Sequence, residues 1–336
     1  MARTDESRTK DADLTTKVAM YRMMQEARLF ERRVQDLFLE GIVKGTTHLA
    51  LGQEAVGAGF AAAMQPGDLV YCTYRGHVHT LLRGAPMDAL MAELMGKATG
   101  ICGGKGGSMH LTDVSHGAMG SYAIVGAHLP IAAGAAWAAQ ERGTGQVVVC
   151  FFGDGTTNIG AFHEALNLAA VWRLPVVFVC ENNLYMEYTP IGEVTAVANP
   201  ASDRAPAYGL QGVVVDGNDP DRVYATAREA IDRSRAGGGP ALVEAKTYRQ
   251  SGHSRADPGT YRPEEEVRTW LGRDPLPMYR ARLAAEGVDE ATLAEIDAEA
   301  AAAVDRATES AKAAPLPDAG SLQTQVWSDG GSAWRN

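Results

Sequence analysis

Two short, almost wholly apolar runs flank one helix-length segment, and this triplet restricts the fold more than any other feature of the chain. Residues 146–152 (QVVVCFF) and 175–180 (PVVFVC) are too short for helices. They show no polar–apolar alternation, so they read as strands buried on both faces. Between them, residues 160–172 gather Phe162, Leu166, Ala169 and Ala170 on one side of a helix. Further strands at 212–215 and 241–245 flank a helix over 220–235. Strand–helix–strand alternation with doubly buried strands predicts an α/β fold, a parallel sheet with helices on both faces.

The flanks are helical. Over residues 13–40, Met20, Met23, Ala27, Phe30, Val34 and Leu37 recur at steps of three and four before Gly41 ends the run. This amphipathic N-terminal helix must lie on the chain's own core or on a partner. A helical C-terminal region, rich in Ala and Glu, runs to about residue 313; Pro315 and Pro317 then break it, leaving a tail with Trp327 and Trp334. That tail reads equally as a docking segment or a frayed end. Residues 1–13 are polar and read as a frayed terminus rather than a secretory leader. The expected organisation is a helical extension (1–40), an α/β domain (41–265) and a helical region with tail (266–336). Residues 188–206 and 249–262 lack periodicity, as functional or mobile loops do.

With 31 Lys and Arg against 41 Asp and Glu, the net charge of −10 argues against a nucleic-acid partner. The longest near-apolar stretch, 132–139, is too short to span a bilayer. Cys72, Cys102, Cys150 and Cys180 form no CxxC pair, which argues against structural zinc. Cys150 and Cys180 sit in apolar runs and read as buried small hydrophobes. A reduced, cytoplasmic protein is expected.

The chemistry-bearing signal lies at two strand ends. Gly153-Asp154-Gly155 follows the first apolar run, and Asn182-Asn183 follows the second. A right-handed crossover makes such strands parallel and usually adjacent, so both loops leave the same carboxyl edge of the sheet, where open α/β sheets place ligands. A carboxylate and an amide oxygen, with no His or Cys beside them, suit magnesium that borrows further oxygens from a phosphate. The glycines allow close approach of a diphosphate, and a helix starting near Gly160 adds a positive end. A dinucleotide fingerprint fails at Asn158, where a third glycine is required, and Gly104-Lys105-Gly106 lacks the hydroxyl of a Walker loop.

This spacing resembles the thiamin diphosphate motif. GQEAV (52–56), TYRGH (73–77), GGKGGSMH (103–110), IVGA (124–127), FHEALNLAA (162–170), ENNLY (181–185) and GHSRADPGTYR (252–262) together resemble the alpha subunit of the decarboxylating component of 2-oxo acid dehydrogenase complexes, over roughly residues 20–285. Pyruvate, branched-chain and acetoin dehydrogenases make up that family.

The resemblance implies a thiamin diphosphate-binding fold and a set of residue roles. Asp154, Asn183 and the carbonyl of Tyr185 would hold Mg2+. Gly155 and Thr156 would offer backbone contacts to the diphosphate, and Tyr74 and Arg75 would bind its oxygens. Ala123 and Val125 would cradle the aminopyrimidine; the family often has glycine where Ala123 stands. His48 and His253 would be the histidines of the active-site channel, with His77 a weaker candidate. Ser254 stands where mitochondrial relatives carry a regulatory phosphoserine. The resemblance also implies a beta subunit that brings the glutamate activating the ring, an assembly of two alphas and two betas, and a lipoyl-bearing acyltransferase as acyl acceptor. Pyruvate is the first expected substrate, then acetoin, then branched-chain 2-oxo acids. A split transketolase-like subunit and a cofactor-less scaffold are the alternatives; GHSRADPGTYR argues against the first, and the intact Asp154, Asn183 and His253 against the second.

Overall fold

A β-strand turns alternate side chains to opposite faces, and the central strands here supply apolar residues to both. The computed structural model describes residues 11–324. Its strands are β1 (Leu69–Thr73), β2 (Ala118–Tyr122), β3 (Val148–Gly153), β4 (Val176–Asn182), β5 (Tyr185–Met186), β6 (Thr189–Pro190), β7 (Gly212–Asp216) and β8 (Ala241–Lys246). Six form one sheet in the order β2-β1-β3-β4-β8-β7, every pair parallel, while β5 and β6 make a small antiparallel hairpin. The strands expected from the apolar runs are present. β1 and β2 were not anticipated.

The helices are α1 (Leu14–Leu39), α2 (Glu54–Ala63), α3 (His77–Leu82), α4 (Met87–Leu94), α5 (His128–Arg142), α6 (Gly160–Trp172), α7 (Ile191–Val194), α8 (Pro220–Arg233), α9 (Glu264–Leu271), α10 (Pro275–Ala285) and α11 (Glu290–Ala313). On one sheet face Val148, Cys150, Phe152, Val176, Phe178 and Cys180 pack against α5 and α6. On the other, Val149, Phe151, Val177, Val179 and Val243 pack against α1, α2 and α8, joined by Leu276 and Leu283 of α10 and Leu293 of α11. Each such side chain, fully buried, contributes roughly 1.5–3 kcal/mol.

Three sequence expectations need correction. Residues 11–13 are not frayed: Ala12 is buried, and Asp13 caps α1 by accepting the Thr16 N–H at 2.8 Å. On α1, Met24 rather than Met23 is fully buried, four residues after Met20 and three before Ala27 on the core-facing side, while Met23 is only partly buried. On α6, Ala165 is buried where Ala170 is only half-buried. The apolar face of α1 is spent on the chain's own core, where it also carries Arg28 and Glu31 inward. Residues 249–262 hold no helix or strand, as expected, and 188–206 hold only the hairpin's second strand, α7 and the start of a 3-10 turn. Cys150 and Cys180 are fully buried. Among the described residues no helix is long and apolar enough to cross a membrane. Trp327 and Trp334 lie outside the described residues.

Burial of one core histidine sets a pH dependence. His128, at the start of α5, is fully buried; its Nε2 donates to the Phe151 carbonyl at 2.8 Å, and its Nδ1 has no partner. Burial pulls its pKa from 6.5 down to about 4. The unfolded chain then binds the extra proton between those values, so stability is complete above pH 6.5 and falls as pH drops toward 4, by roughly 3 kcal/mol. The contribution is isolated by difference: in denaturant titrations His128→Gln is expected to gain on wild type by this amount as pH falls from 7 to 4.

Candidate active site

Register delivers the two motif loops to one place. Gly153 of β3 pairs with Glu181 of β4, so Asp154 and Asn182 leave adjacent strand tips, with Asn183 next. Asp154 is 2% exposed. Its Oδ1 accepts the Gly155 N–H at 2.8 Å, and the Leu184 N–H also bears on the carboxylate. Leu184 and Glu187 take left-handed backbone at φ 75° and 54°, a strain of about 1–3 kcal/mol each that is held by surrounding contacts. Asn182 supplies some of them: its Oδ1 accepts the Leu184 N–H at 3.0 Å, and its amide donates to Glu244 at 2.7 Å. Asn183 accepts the Tyr185 N–H and donates to Gln53, both at 3.3 Å. Gly155 is required by space, since a Cβ there would sit 2.5 Å from Met186 Cγ.

These loops open on a cavity of about 640 Å³. His48, Tyr74, Arg75, Ala123, Val125, Asp154, Gly155, Thr156, Asn183, Tyr185 and His253 all line it, whereas Ser254 does not. His77 does not; it is buried behind the wall. The lining also includes Gln53, Met109, Ile159, Glu181 and Arg249, which the sequence reading missed. Ile159 immediately precedes α6, so the helix begins beside the cavity.

Charge inside the cavity is unbalanced in two ways. Asp154 Oδ2 and Thr156 Oγ1 are buried without a hydrogen-bond partner. Burial pushes the Asp154 carboxyl up to about 6, against the pull of the Gly155 N–H and the Arg249 charge. Such a carboxylate fits a cation. Opposite in sign, Arg75 and Arg249 are 6% and 2% exposed and form no ion pair among the described residues. Arg75 donates to the Leu49 and His253 carbonyls, and burial followed by the Arg249 charge pulls its pKa down to about 10. Arg249 donates to the Glu187 carbonyl at 2.9 Å and the Tyr261 hydroxyl at 2.6 Å. Two buried guanidiniums without carboxylates fit a polyanion.

Among the described residues no three or more His, Cys, Asp or Glu side chains gather to hold a metal. Asp154, Asn183 and Tyr185 line the same cavity, and oxygen donors of this kind suit Mg2+ where a phosphate supplies the rest of its shell. His48, Tyr74 and His253 form a cluster of tilted and edge-to-face rings in the lining, with centroids 4.4 Å (His48–Tyr74) and 5.0 Å (His48–His253) apart. Burial, then the Arg75 charge, lowers His48 to about 2 and His253 to about 4, so both rings are neutral at pH 7. The irregular segment carrying His253 is tied by Asp257, which accepts the His253 and Gly259 N–H groups and the Tyr261 hydroxyl.

A family model described as "Dehydrogenase E1 component" matches residues 21–320. The alpha subunit of acetoin:2,6-dichlorophenolindophenol oxidoreductase from Bacillus subtilis is 44% identical over 309 residues, covering 92% of this chain and 92% of its own. Its Cupriavidus necator counterpart is 44% identical over 317 residues, 94% and 95% of the two chains. The pyruvate dehydrogenase E1 component subunit alpha of Zymomonas mobilis is 43% identical over 317 residues, 94% and 89%.

Proposed function

The chain belongs to the dehydrogenase E1 component family as an alpha subunit, and on that premise we propose that it binds thiamin diphosphate with Mg2+ and cleaves acetoin oxidatively in company with a beta subunit. The observation that carries the cofactor reading is the paired imbalance in the cavity: a buried carboxylate lacking a cation beside two buried guanidiniums lacking an anion. A magnesium diphosphate answers both.

In this reading Asp154, Asn183 and the Tyr185 carbonyl hold the metal. Gly155, Thr156, Tyr74, Arg75 and Arg249 hold the diphosphate. Ala123 and Val125 bear on the aminopyrimidine. When bound, the cofactor would supply a carbanion nucleophile and an electron sink for the substrate carbonyl. His48 and His253, neutral at pH 7, hydrogen-bond the substrate through their ring nitrogens and fix its orientation. The beta subunit completes the site. Ile124, 73% exposed beside the cavity-lining Val125, gives the rim an apolar lip suited to cover by a partner. The family assembly of two alphas and two betas, with a lipoyl-bearing acyltransferase as acceptor and a cytoplasmic setting, completes the proposal.

Acetoin is placed ahead of pyruvate, reversing the sequence-based order, because two of the relatives named above bear its name and match nearly end to end. Pyruvate stays as the second reading on the Zymomonas relative. Co-production with the beta subunit, then dichlorophenolindophenol reduction over a substrate panel, tests this. The assembly is expected to turn over acetoin with the highest kcat/KM, and the alpha chain alone to be inactive. A kcat/KM preference for pyruvate moves the assignment to the second reading, and ketol transfer between sugars without dye reduction removes both.

A further inference from the structure

Behind the cavity wall runs a second polar chain. Glu31 on α1 is fully buried and uses both oxygens: Oε1 accepts the Ala50 N–H at 3.0 Å, and Oε2 lies 2.9 Å from His77 Nδ1. His77, also fully buried, sets its Nε2 2.8 Å from Ser108 Oγ. An ionised carboxylate only accepts, so Nδ1 donates to Glu31, and Nε2 shares the second hydrogen bond with the Ser108 hydroxyl. Serine, histidine and glutamate in this order can activate a nucleophile. Here Ser108 is 4% exposed and is not among the cavity-lining residues, so its oxygen faces no substrate.

What the chain joins explains it. Ala50 follows His48, which lines the cavity, and Leu49, whose carbonyl accepts from Arg75. Ser108 precedes Met109, which lines the cavity from another side. The glycine-rich segment before Ser108 is wound on a single buried carboxylate. Glu93 accepts the N–H groups of Cys102 and Gly104 at 2.8 Å each, Gly106 at 2.7 Å and Gly107 at 3.0 Å. Gly100 lies so close to Glu93 that no Cβ fits. Four donors on one carboxylate fix this loop, so Ser108 is a firm end to the chain rather than a loose one.

We propose that Glu31, His77 and Ser108 are positioning residues that couple two walls of the cavity, the His48–Leu49 segment and Met109. The proposal deepens the functional reading above and rests on it for its effect on cofactor.

The test uses the full chain assembled with its beta subunit. Ser108→Ala deletes one oxygen at one end of the chain. Amide hydrogen exchange is expected to rise about tenfold both at residues 106–110 and at residues 47–51, although Ser108 touches only the first. Affinity for thiamin diphosphate with magnesium, by calorimetry, is expected to fall roughly three- to tenfold. Glu31→Gln combined with Ser108→Ala is expected to cost no more than Glu31→Gln alone; if that variant does not assemble, His77→Gln closes the cycle. Faster exchange confined to 106–110, or full additivity, overturns the coupling. The exchange comparison is also made without cofactor. A wild type that fails to bind thiamin diphosphate then removes the functional reading, and the coupling is decided by exchange alone.

Discussion

Asp154→Asn is expected to weaken thiamin diphosphate binding in the presence of magnesium by about 10²–10³-fold, the equivalent of breaking one buried charge pair, and to abolish activity of the assembled enzyme. Asparagine keeps the shape and can still accept the Gly155 N–H, but it carries no charge for the metal. The same substitution is expected to stabilise the cofactor-free protein. The Asp154 carboxyl stands at about 6 rather than 3.8, chiefly through burial. The folded state therefore binds its proton more tightly than the unfolded chain does. Folding is penalised progressively as pH rises from about 4 to 6, and above that by roughly 3 kcal/mol. Asparagine escapes the penalty, so the variant should exceed wild type in denaturant titrations at pH 7 and match it at pH 4. Equal stability at pH 7 would mean that the carboxylate is already compensated within the chain, and the case for a cation would fall with it.

The central strands were legible because each is a continuous apolar run, and doubly buried strands leave that mark in any sequence. β1 and β2 leave a weaker one. β1 is five residues after a turn, and β2 (AMGSY) mixes Ser and Met around Gly120, whose φ of 138° fits poorly with regular strand. Motif residues at strand tips could be placed near each other because parallel neighbours share an edge. Arg249, among the largest fully buried side chains, gave no such signal. An arginine in a loop reads as a surface charge, and only its burial without an acid reveals a demand for an anion. Glu31, His77 and Ser108 were hidden for a related reason: they belong to three segments far apart in sequence, and no spacing rule connects them.

Glu54→Ala is expected to cost about 3–5 kcal/mol, a large share of the 5–15 kcal/mol that holds most domains together. Glu54 is fully buried at the start of α2. Its carboxylate takes two donors from the buried Arg28 guanidinium and also accepts the Gly52 N–H at 3.0 Å. Without it Arg28 keeps only Asp274, at 2.9 Å, and loses half its compensation inside the core. The cost comes from the orphaned cation rather than from the lost attraction, so Arg28→Leu with Glu54→Met should recover most of it, Asp274 still capping α10 through the Leu276 N–H. A double variant as unstable as the single one in denaturant titration would show instead that the pair is a net source of stability. The recovered protein need not bind cofactor well. Gln53, immediately before Glu54, lines the cavity and accepts from Asn183, and its turn is held by the Gly52 contact that methionine cannot replace. Restored stability with cofactor affinity still weakened about tenfold would separate the two tasks of this residue, one in the core and one at the metal site.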